Sequence, residues 1–169
     1  MIKDFEGKSP QIDESAFVAE NATIIGDVTI GRNVSIWYNT VLRGDVAPIV
    51  IGDNTSIQDG TVIHCDIGIS TIVGENVTIG HGVMLHACEI GNNVLVGIGA
   101  IVLNQAVVGK NTIIGAGSIV TPRTKIPARS MALGTPAKVI KKIDQEEVKN
   151  LKVHADEYVK LMKKYQSMT

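Results

Sequence analysis

Aromatic side chains and net charge are both scarce in this sequence. Phe, Trp and Tyr make up 4% of the 169 residues, and the formal net charge at neutral pH is −1. So few large rings are typical of a protein whose interior is narrow. The sequence contains no basic patch, which argues against nucleic acid as a partner, and its length suits one domain.

The chain also lacks a disulfide pattern and a targeting pattern. Cys65 and Cys88 are the two cysteines, and their spacing does not suggest a disulfide, so reduced thiols in the cytosol are expected. An alternative interpretation makes them soft metal ligands. The opening MIKDFEGKSP has neither a signal-peptide pattern nor a transit-peptide composition. We therefore expect a cytoplasmic protein with no membrane partner, and an irregular lead-in up to Pro10.

What the sequence does contain is a six-residue repeat. A period of six does not give the 3.6-residue stripe of a helix, and it is the signature of a hexapeptide β-helix in which three hexads complete one triangular coil. We therefore predict an all-β solenoid, a parallel β-helix, over residues 1–143. The branched aliphatic residues that define the repeat are Val18, Ile24, Ile30, Ile36, Leu42, Ile51, Ile57, Ile63, Val73, Ile79, Leu85, Ile90, Val96, Val102, Val108, Ile114 and Val120.

The repeat is interrupted in three places. Three extra residues fall in the VAPIV stretch near Pro48, four fall in the CDIGIS stretch after His64, and one residue is missing after Leu85. Insertions are accommodated most easily in surface loops. We therefore predict loops at the two insertions and a tightened corner at the deletion.

Two histidines share one position of the repeat. His64 follows Ile63, and His86 follows Leu85 three hexads later, so the two occupy successive coils of one face at a spacing of roughly 4.8 Å. Arg43 precedes them in the same column. Because the aliphatic residue points inward, the residue after it points outward. His64 and His86 are therefore predicted to lie on the outer surface.

A third histidine, His81, belongs to a neighbouring corner, in a column with Asp59 and Tyr38. Two stacked imidazoles can converge on one metal, but a catalytic zinc needs a third protein ligand and an open position. If identical prisms pack around a threefold axis, the corner of one lies against the face of the next, and His81 of a neighbour completes the set. The pattern predicts a homotrimer with a metal site at each interface. The alternative is three surface histidines that serve only packing.

The motifs around these residues resemble those of the γ-class carbonic anhydrase family. They are RGD at 43–45, SIQDGTVIH at 56–64 and GHGVMLH at 80–86, and the resemblance covers nearly the whole chain. It implies a left-handed β-helix and reversible hydration of carbon dioxide to bicarbonate by a metal-bound hydroxide at a trimer interface. It also implies that zinc, or Fe²⁺ or Co²⁺ in its place, is bound by His64 and His86 of one subunit and His81 of the next.

The resemblance assigns roles to further residues. It implies that Gln58 hydrogen-bonds the metal-bound hydroxide and that Tyr158 of a C-terminal helix lies near the metal, which makes both candidate catalytic residues. An amide beside an open metal position can orient a nucleophile without adding charge. The resemblance also implies ion pairs across the interface that involve Arg43, Asp45 and Asp59.

One departure from the family concerns proton transfer. Well-known active members carry an acidic loop that supplies a glutamate, whereas the insertion near Pro48 is short and apolar here, and the one after His64 offers only Asp66. Each hydration releases a proton that must reach solvent. We therefore expect turnover to depend on buffer, with Asp66 and Tyr158 as the candidates for an internal proton carrier.

Beyond Val120 the repeat fades, and residues 144–166 have a helical pattern. Prolines and Gly134 indicate a segment that leaves the prism. Asp144 with Glu147 forms a D-x-x-E capping pattern. We predict a helix that packs on the solenoid or on a neighbouring subunit, with one apolar face formed by Val148, Leu151, Ala155, Tyr158, Met162 and Tyr165.

Other functions stay open at the level of sequence. GTPAK at 134–138 also occurs at the end of hexapeptide acyltransferases that bind coenzyme A, but those use one histidine as a general base rather than three in metal register. A thioesterase or esterase that attacks an acyl-CoA or ester with the same metal hydroxide is a closer alternative. A non-catalytic metal-binding assembly protein is the third.

Overall fold

In the computed structural model, which describes residues 1–168, the hexads form short parallel strands that wind into a left-handed β-helix, and one helix follows them. The predicted fold class is confirmed. The helix, α1, spans Gln145–Gln166. The strands are β1 (Ile2–Lys3), β2 (Gln11–Ile12), β3 (Phe17–Val18), β4 (Thr23–Ile30), β5 (Ser35–Ile36), β6 (Val41–Ile51), β7 (Ser56–Ile57), β8 (Val62–His64), β9 (Thr71–Val73), β10 (Thr78–Ile79), β11 (Met84–His86), β12 (Glu89–Ile90), β13 (Leu95–Val96), β14 (Ile101–Val102), β15 (Val107–Val108), β16 (Ile113–Ile114), β17 (Ile119–Val120), β18 (Lys125–Ile126), β19 (Ser130–Leu133) and β20 (Lys138–Lys142).

The strands form three faces of a prism. The first face contains β8, β11, β14 and β17, and the second contains β9, β12, β15 and β18. Strand β6 turns the corner between them, since its start pairs with β8 and its end with β9. The third face runs from β3 through β5, β7, β10, β13, β16 and β19 to β20.

The core is the stack of inward-facing aliphatic residues. Every residue of the predicted repeat is buried except Val18, which is partly buried and packs against the others. Each sixth residue therefore supplies one layer of a narrow interior. Burial of these side chains stabilises the fold by roughly 25 cal/mol for each Å² of apolar surface removed from water. The corners between strands use residues in the left-handed region, among them Asn33, Asn54 and Asn76 with φ of 53–57°, because Asn adopts that region more readily than most residues.

The VAPIV stretch is not a loop, so that prediction was wrong. It lies inside β6, whose pairing with β4 shifts at a bulge. Its side chains alternate, with Ala47 and Ile49 buried and Val46, Pro48 and Val50 exposed. This alternation is the period-two pattern of a strand. The CDIGIS stretch does form a turn, closed by a bridge between Asp66 and Ile69, and the shortened corner has Ala87 at φ 49°.

The repeat also extends further than predicted at both ends. Ile2 and Lys3 pair with β4, so the lead-in is not wholly irregular. After Val120 the ladder continues, with Ile126 and Ala132 buried at the next two sixth places. Prolines in this segment occupy the connections between strands, where no ladder hydrogen bond is lost. Only then does β20 return antiparallel to β19.

Helix α1 covers part of the third face of its own chain. Asp144 caps it, and the capping box with Glu147 is present as the sequence pattern predicts. Met162 packs with Phe17 and Trp37, and the helix contacts β3, β5 and β7. Within residues 1–168, no helix is long and apolar enough to cross a membrane.

Candidate metal centre

His64 and His86 end neighbouring strands of the first face. Strands β8 and β11 pair in register, so that His64 lies opposite His86, and Arg43 of β6 lies opposite His64 on the other side. The ring centroids are 5.1 Å apart. Nδ1 of His64 lies 3.2 Å from Nε2 of His86. The strand ladder therefore brings two ring nitrogens together.

The outer nitrogen of each ring has a partner that can only accept a hydrogen bond. Nε2 of His64 lies 2.8 Å from Oδ1 of Asp45, and Nδ1 of His86 lies 3.0 Å from Oδ1 of Asn104. Both outer nitrogens therefore carry the proton and donate. When both imidazoles are neutral, the two inner nitrogens, Nδ1 of His64 and Nε2 of His86, carry lone pairs that face each other across 3.2 Å.

This arrangement of donors fits a metal ion. Two nitrogens bound to one zinc at 2.0–2.1 Å with a tetrahedral angle lie about 3.3 Å apart, close to the 3.2 Å that separates His64 and His86. Facing lone pairs repel unless a cation lies against both. A hydrogen-bond acceptor on the nitrogen that does not bind the metal is the usual way in which proteins fix a metal-binding imidazole.

Asp45 joins this centre to Arg43. The carboxylate accepts from His64 and forms an ion pair with the Arg43 guanidinium of the same chain. Burial acts to raise the pKa of Asp45, but the hydrogen bonds from His64 and Arg43 outweigh burial and hold the pKa below its usual range. Asp45 is therefore ionised at neutral pH, as an orienting acceptor must be. The predicted pairing of Arg43, Asp45 and Asp59 across an interface stays a prediction.

His81 lies at a different corner and does not reach the pair within its chain. Backbone hydrogen bonds stack Asp59 on Tyr38 and His81 on Asp59. Nδ1 of His81 lies 3.0 Å from Oδ2 of Asp59, and the His81 side chain is half-exposed. Its Nε2 is thus left as the free nitrogen, so His81 has the same arrangement as His64: a carboxylate on one nitrogen and a lone pair on the other.

A cavity of about 340 Å³ lies beside His81, between the third face and α1. Gln58 in its wall is only 4% exposed. The phenol of Tyr158 has a raised pKa, first because of burial and then because of the negative charges of Asp59 and Glu157. Tyr158 is therefore a neutral hydrogen-bond donor at neutral pH. The lining residues are Gln58, Gly80, His81, Leu95, Val96, Gly97, Ile98, Ala116, His154 and Tyr158.

The fourth histidine, His154, was not identified from the sequence. It lies on α1, its Nδ1 is 3.2 Å from Oγ1 of Thr78, and its ring packs edge-on against Tyr158 with centroids 5.3 Å apart. The sequence did contain a signal for His154, because it lies four residues before Tyr158 and residues four apart on a helix share a face. His154 therefore lines the same cavity as Gln58 and His81.

The cysteines are less suited to a metal than the histidines. Cys65 lies near Asp45 and His64, with ligand atoms within 4.8 Å of one another, but its thiol is fully buried and donates to the Ala47 carbonyl at 2.9 Å. Burial raises the pKa of Cys88 to about 12, which keeps it a thiol, whereas metals bind the thiolate.

The chain is similar to hexapeptide-repeat proteins and to proteins named carbonic anhydrase. The family described as bacterial transferase hexapeptide (six repeats) matches residues 9–44 and 87–122. The chain is 49% identical over 156 residues to the "Probable carbonic anhydrase" of Methanocaldococcus jannaschii, which covers 92% of this chain and 98% of that protein. It is 42% identical over 160 residues to "Gamma carbonic anhydrase 2, mitochondrial" of Arabidopsis thaliana, over 91% of this chain and 58% of that protein. A crystal structure of a hexapeptide transferase family protein from Anaplasma phagocytophilum aligns with a TM-score of 0.94 at 44% identity, over 97% of both chains.

Proposed function

Because the chain belongs to the γ-class carbonic anhydrase family, we propose that it catalyses the reversible hydration of carbon dioxide to bicarbonate at a zinc site shared between the subunits of a homotrimer. The observation that carries the proposal is the pair of facing nitrogens, Nδ1 of His64 and Nε2 of His86. His81 of a neighbouring subunit would be the third ligand. Zinc held there lowers the pKa of a bound water towards about 7 and so supplies a nucleophile at neutral pH.

A trimer would account for the exposed apolar side chains around the histidine pair. Val62 and Met84, which precede the inward residues of β8 and β11, are 37% and 44% exposed, and Val46 at the corner is 45% exposed. Apolar side chains clustered beside metal ligands are typical of an interaction surface. A neighbour placed there would bring its His81 and the attached cavity against the pair. Arg43, which is half-exposed, would also lie at this interface.

Other residues of the chain are suited to orient the ligands, the nucleophile and the substrate. Asp45 and Asp59 hold two imidazoles with the lone pair outward. The side-chain amide of Gln58, in the cavity wall beside His81, is suited to orient the attacking oxygen. The apolar wall of Leu95, Val96 and Ile98 suits a small apolar substrate such as carbon dioxide.

Release of one proton per hydration needs an acceptor. Histidine is the side chain that changes charge most readily near neutral pH, and His154 lines the cavity that holds Gln58 and His81. Asp66 lies in the turn after β8, not in this cavity, and accepts a hydrogen bond from Asn104. We therefore infer that His154 takes the proton from the cavity and passes it to solvent buffer.

The test is metal analysis combined with stopped-flow hydration of carbon dioxide. The expected result is one metal ion per subunit after mild purification, and an activity that chelation abolishes and Zn²⁺ restores. Fe²⁺ and Co²⁺ are accepted by similar donor sets, so each is added back to the same apoprotein. Purified protein with no stoichiometric metal would overturn the proposal.

Hydrolysis of an acyl-CoA or another ester is a second candidate. A further cavity of about 260 Å³ shares Leu95 and His154 with the first and follows α1 past Leu151. Together the two offer more apolar space than carbon dioxide fills. Metal-loaded protein that hydrates no carbon dioxide but cleaves acyl-CoA or p-nitrophenyl esters would favour this candidate.

A further inference from the structure

The four-residue insertion after His64 reaches the histidine pair through one amide. Nδ2 of Asn104 donates to Oδ2 of Asp66 at 2.8 Å, and Oδ1 of Asn104 lies 3.0 Å from Nδ1 of His86. The other carboxylate oxygen of Asp66 accepts from the backbone N–H of Ile67 at 2.8 Å. The backbone of the turn at 65–70 thus orients Asp66, the Asp66 carboxylate orients the Asn104 amide, and the Asn104 oxygen contacts the imidazole of His86.

We propose that Asn104 and Asp66 are positioning residues that fix the tautomer of His86 and thereby set the affinity of the site for its metal. The inference rests on the proposed function, because it assumes that Nε2 of His86 is a metal ligand. It concerns no group that contacts the substrate. It assigns to the insertion a role other than the supply of a proton carrier.

The two ends of the Asn104 amide differ chemically, because its NH₂ group donates hydrogen bonds and its oxygen accepts them. An ionised carboxylate only accepts hydrogen bonds, so Asp66 selects the NH₂ end of Asn104. The oxygen of Asn104 is then the end that meets His86, and it can accept only from a protonated Nδ1. Nε2 therefore keeps its lone pair, towards Nδ1 of His64.

Loss of the anchor would remove this selection. Without Asp66, the amide of Asn104 is free to turn over and present its NH₂ group to His86. A donor at that point favours the tautomer with the proton on Nε2, which would place an N–H where the metal must bind. Loss of the hydrogen bond that orients a metal-binding histidine typically weakens metal binding by roughly 10–100-fold, and a loss of this size is expected here.

The test compares Zn²⁺ affinity, measured by competition with a chromogenic chelator, in the parent chain and four variants of it. N104L, which keeps the size of the side chain but not its hydrogen bonds, should weaken binding about tenfold or more. D66A should weaken it in the same direction, and D66A/N104L should be no worse than N104L alone, because the two residues act in series. D66N/N104D reverses the hydrogen bond between the two side chains but still presents an oxygen that can only accept to Nδ1 of His86, so it should recover most of the affinity.

A matched control separates this role from general loss of a surface amide. Nδ2 of Asn21 donates to Oδ1 of Asn39 at 3.0 Å in an exposed pair that includes no histidine, so N21L should bind Zn²⁺ as tightly as the parent. The imidazole ¹⁵N shifts of the metal-free protein supply a second readout. In the parent, His86 should have the proton on Nδ1, and in N104L it should shift towards the other tautomer.

The outcomes distinguish this inference from the function on which it rests. N104L with the affinity and His86 tautomer of the parent would overturn the positioning role. Zn²⁺ affinity in D66A equal to that of the parent would do the same for the relay through Asp66. A parent that takes up no Zn²⁺, with a tautomer change in N104L, would overturn the proposed metal site while supporting the role of Asn104.

Discussion

The first and third faces of the prism follow the same repeat but use the position after the inward residue differently. On the first face this position holds Arg43, which is exposed, and His64 and His86, which are partly exposed. On the third face it holds Trp37 and Gln58, which are each 4% exposed because α1 lies over them. The first face therefore presents the paired nitrogens of His64 and His86 at its surface. The third face has a cavity that His154 lines, with the half-exposed His81 at its edge.

This difference between the faces indicates how a narrow solenoid can form a metal site. Its interior is filled by aliphatic residues, so polar chemistry has to lie on outer positions, where water surrounds it. A cover is needed to exclude water, and α1 supplies one to only one face. A neighbouring subunit is the remaining source of cover for the histidine pair, and the following predictions test that division from the largest expected effect to the smallest.

The largest effect should come from separating the two faces genetically. H64A removes a ligand from the first face, and H81A removes the ligand at the corner of the third, so each variant should lose metal binding. Subunits of the two variants mixed in equal amounts should restore about a quarter of the sites, by random assortment around a threefold axis. Metal content of reassembled trimers measures this. Mixed trimers with no more metal than either parent would contradict the shared site.

The next effect concerns the corner strand between the first and second faces. Ile49 is fully buried and Val46 is 45% exposed, although both belong to the stretch expected to be a loop. I49E should lower the free energy of unfolding by several kcal/mol, because a carboxylate would be buried without a partner. V46E should change it by less than about 0.5 kcal/mol. Denaturant unfolding at one protein concentration compares the two, and equal stability would mean that the stretch is a loop after all.

A smaller effect should come from the cavity wall of the third face. Q58A should reduce turnover about tenfold or more, while metal content and the trimer stay unchanged, since Gln58 is expected to orient the nucleophile rather than bind metal. Stopped-flow kinetics and size-exclusion chromatography provide the two readouts. Loss of the trimer in Q58A would instead assign this residue to structure.

The smallest effect should concern proton removal, the step for which no acidic loop is present. Turnover at saturating carbon dioxide should rise with the concentration of an imidazole-type buffer, whereas kcat/KM, which reports the attack step, should stay nearly constant. H154A should steepen that dependence, and V46E, which adds an exposed carboxylate at the residue after Asp45, should reduce it. A turnover that is indifferent to buffer in both the parent and H154A would exclude His154 as the acceptor.

The sequence by itself determined the repeat, the inward residues and the register that pairs His64 with His86. It could do so because three six-residue repeats make one coil, so the number of repeats between two residues gives the number of coils between them. The spacing of neighbouring strands then follows from their backbone hydrogen bonds alone. The same counting placed His81 at another corner with Asp59. The pattern failed at the VAPIV stretch, where an expected insertion in a loop hid the two-residue alternation of Ala47 and Ile49.

Only the tertiary structure decided which nitrogen of each imidazole is free and what covers each face. Asn104 lies one residue beyond the column of His86 and reaches it because of the shortened corner, and Asp66 reaches Asn104 from a turn outside the repeat. His154 arrives from a helix that docks on strands far away in the chain. These contacts depend on side-chain directions across coils and on the docking of one element on another, neither of which a local period specifies.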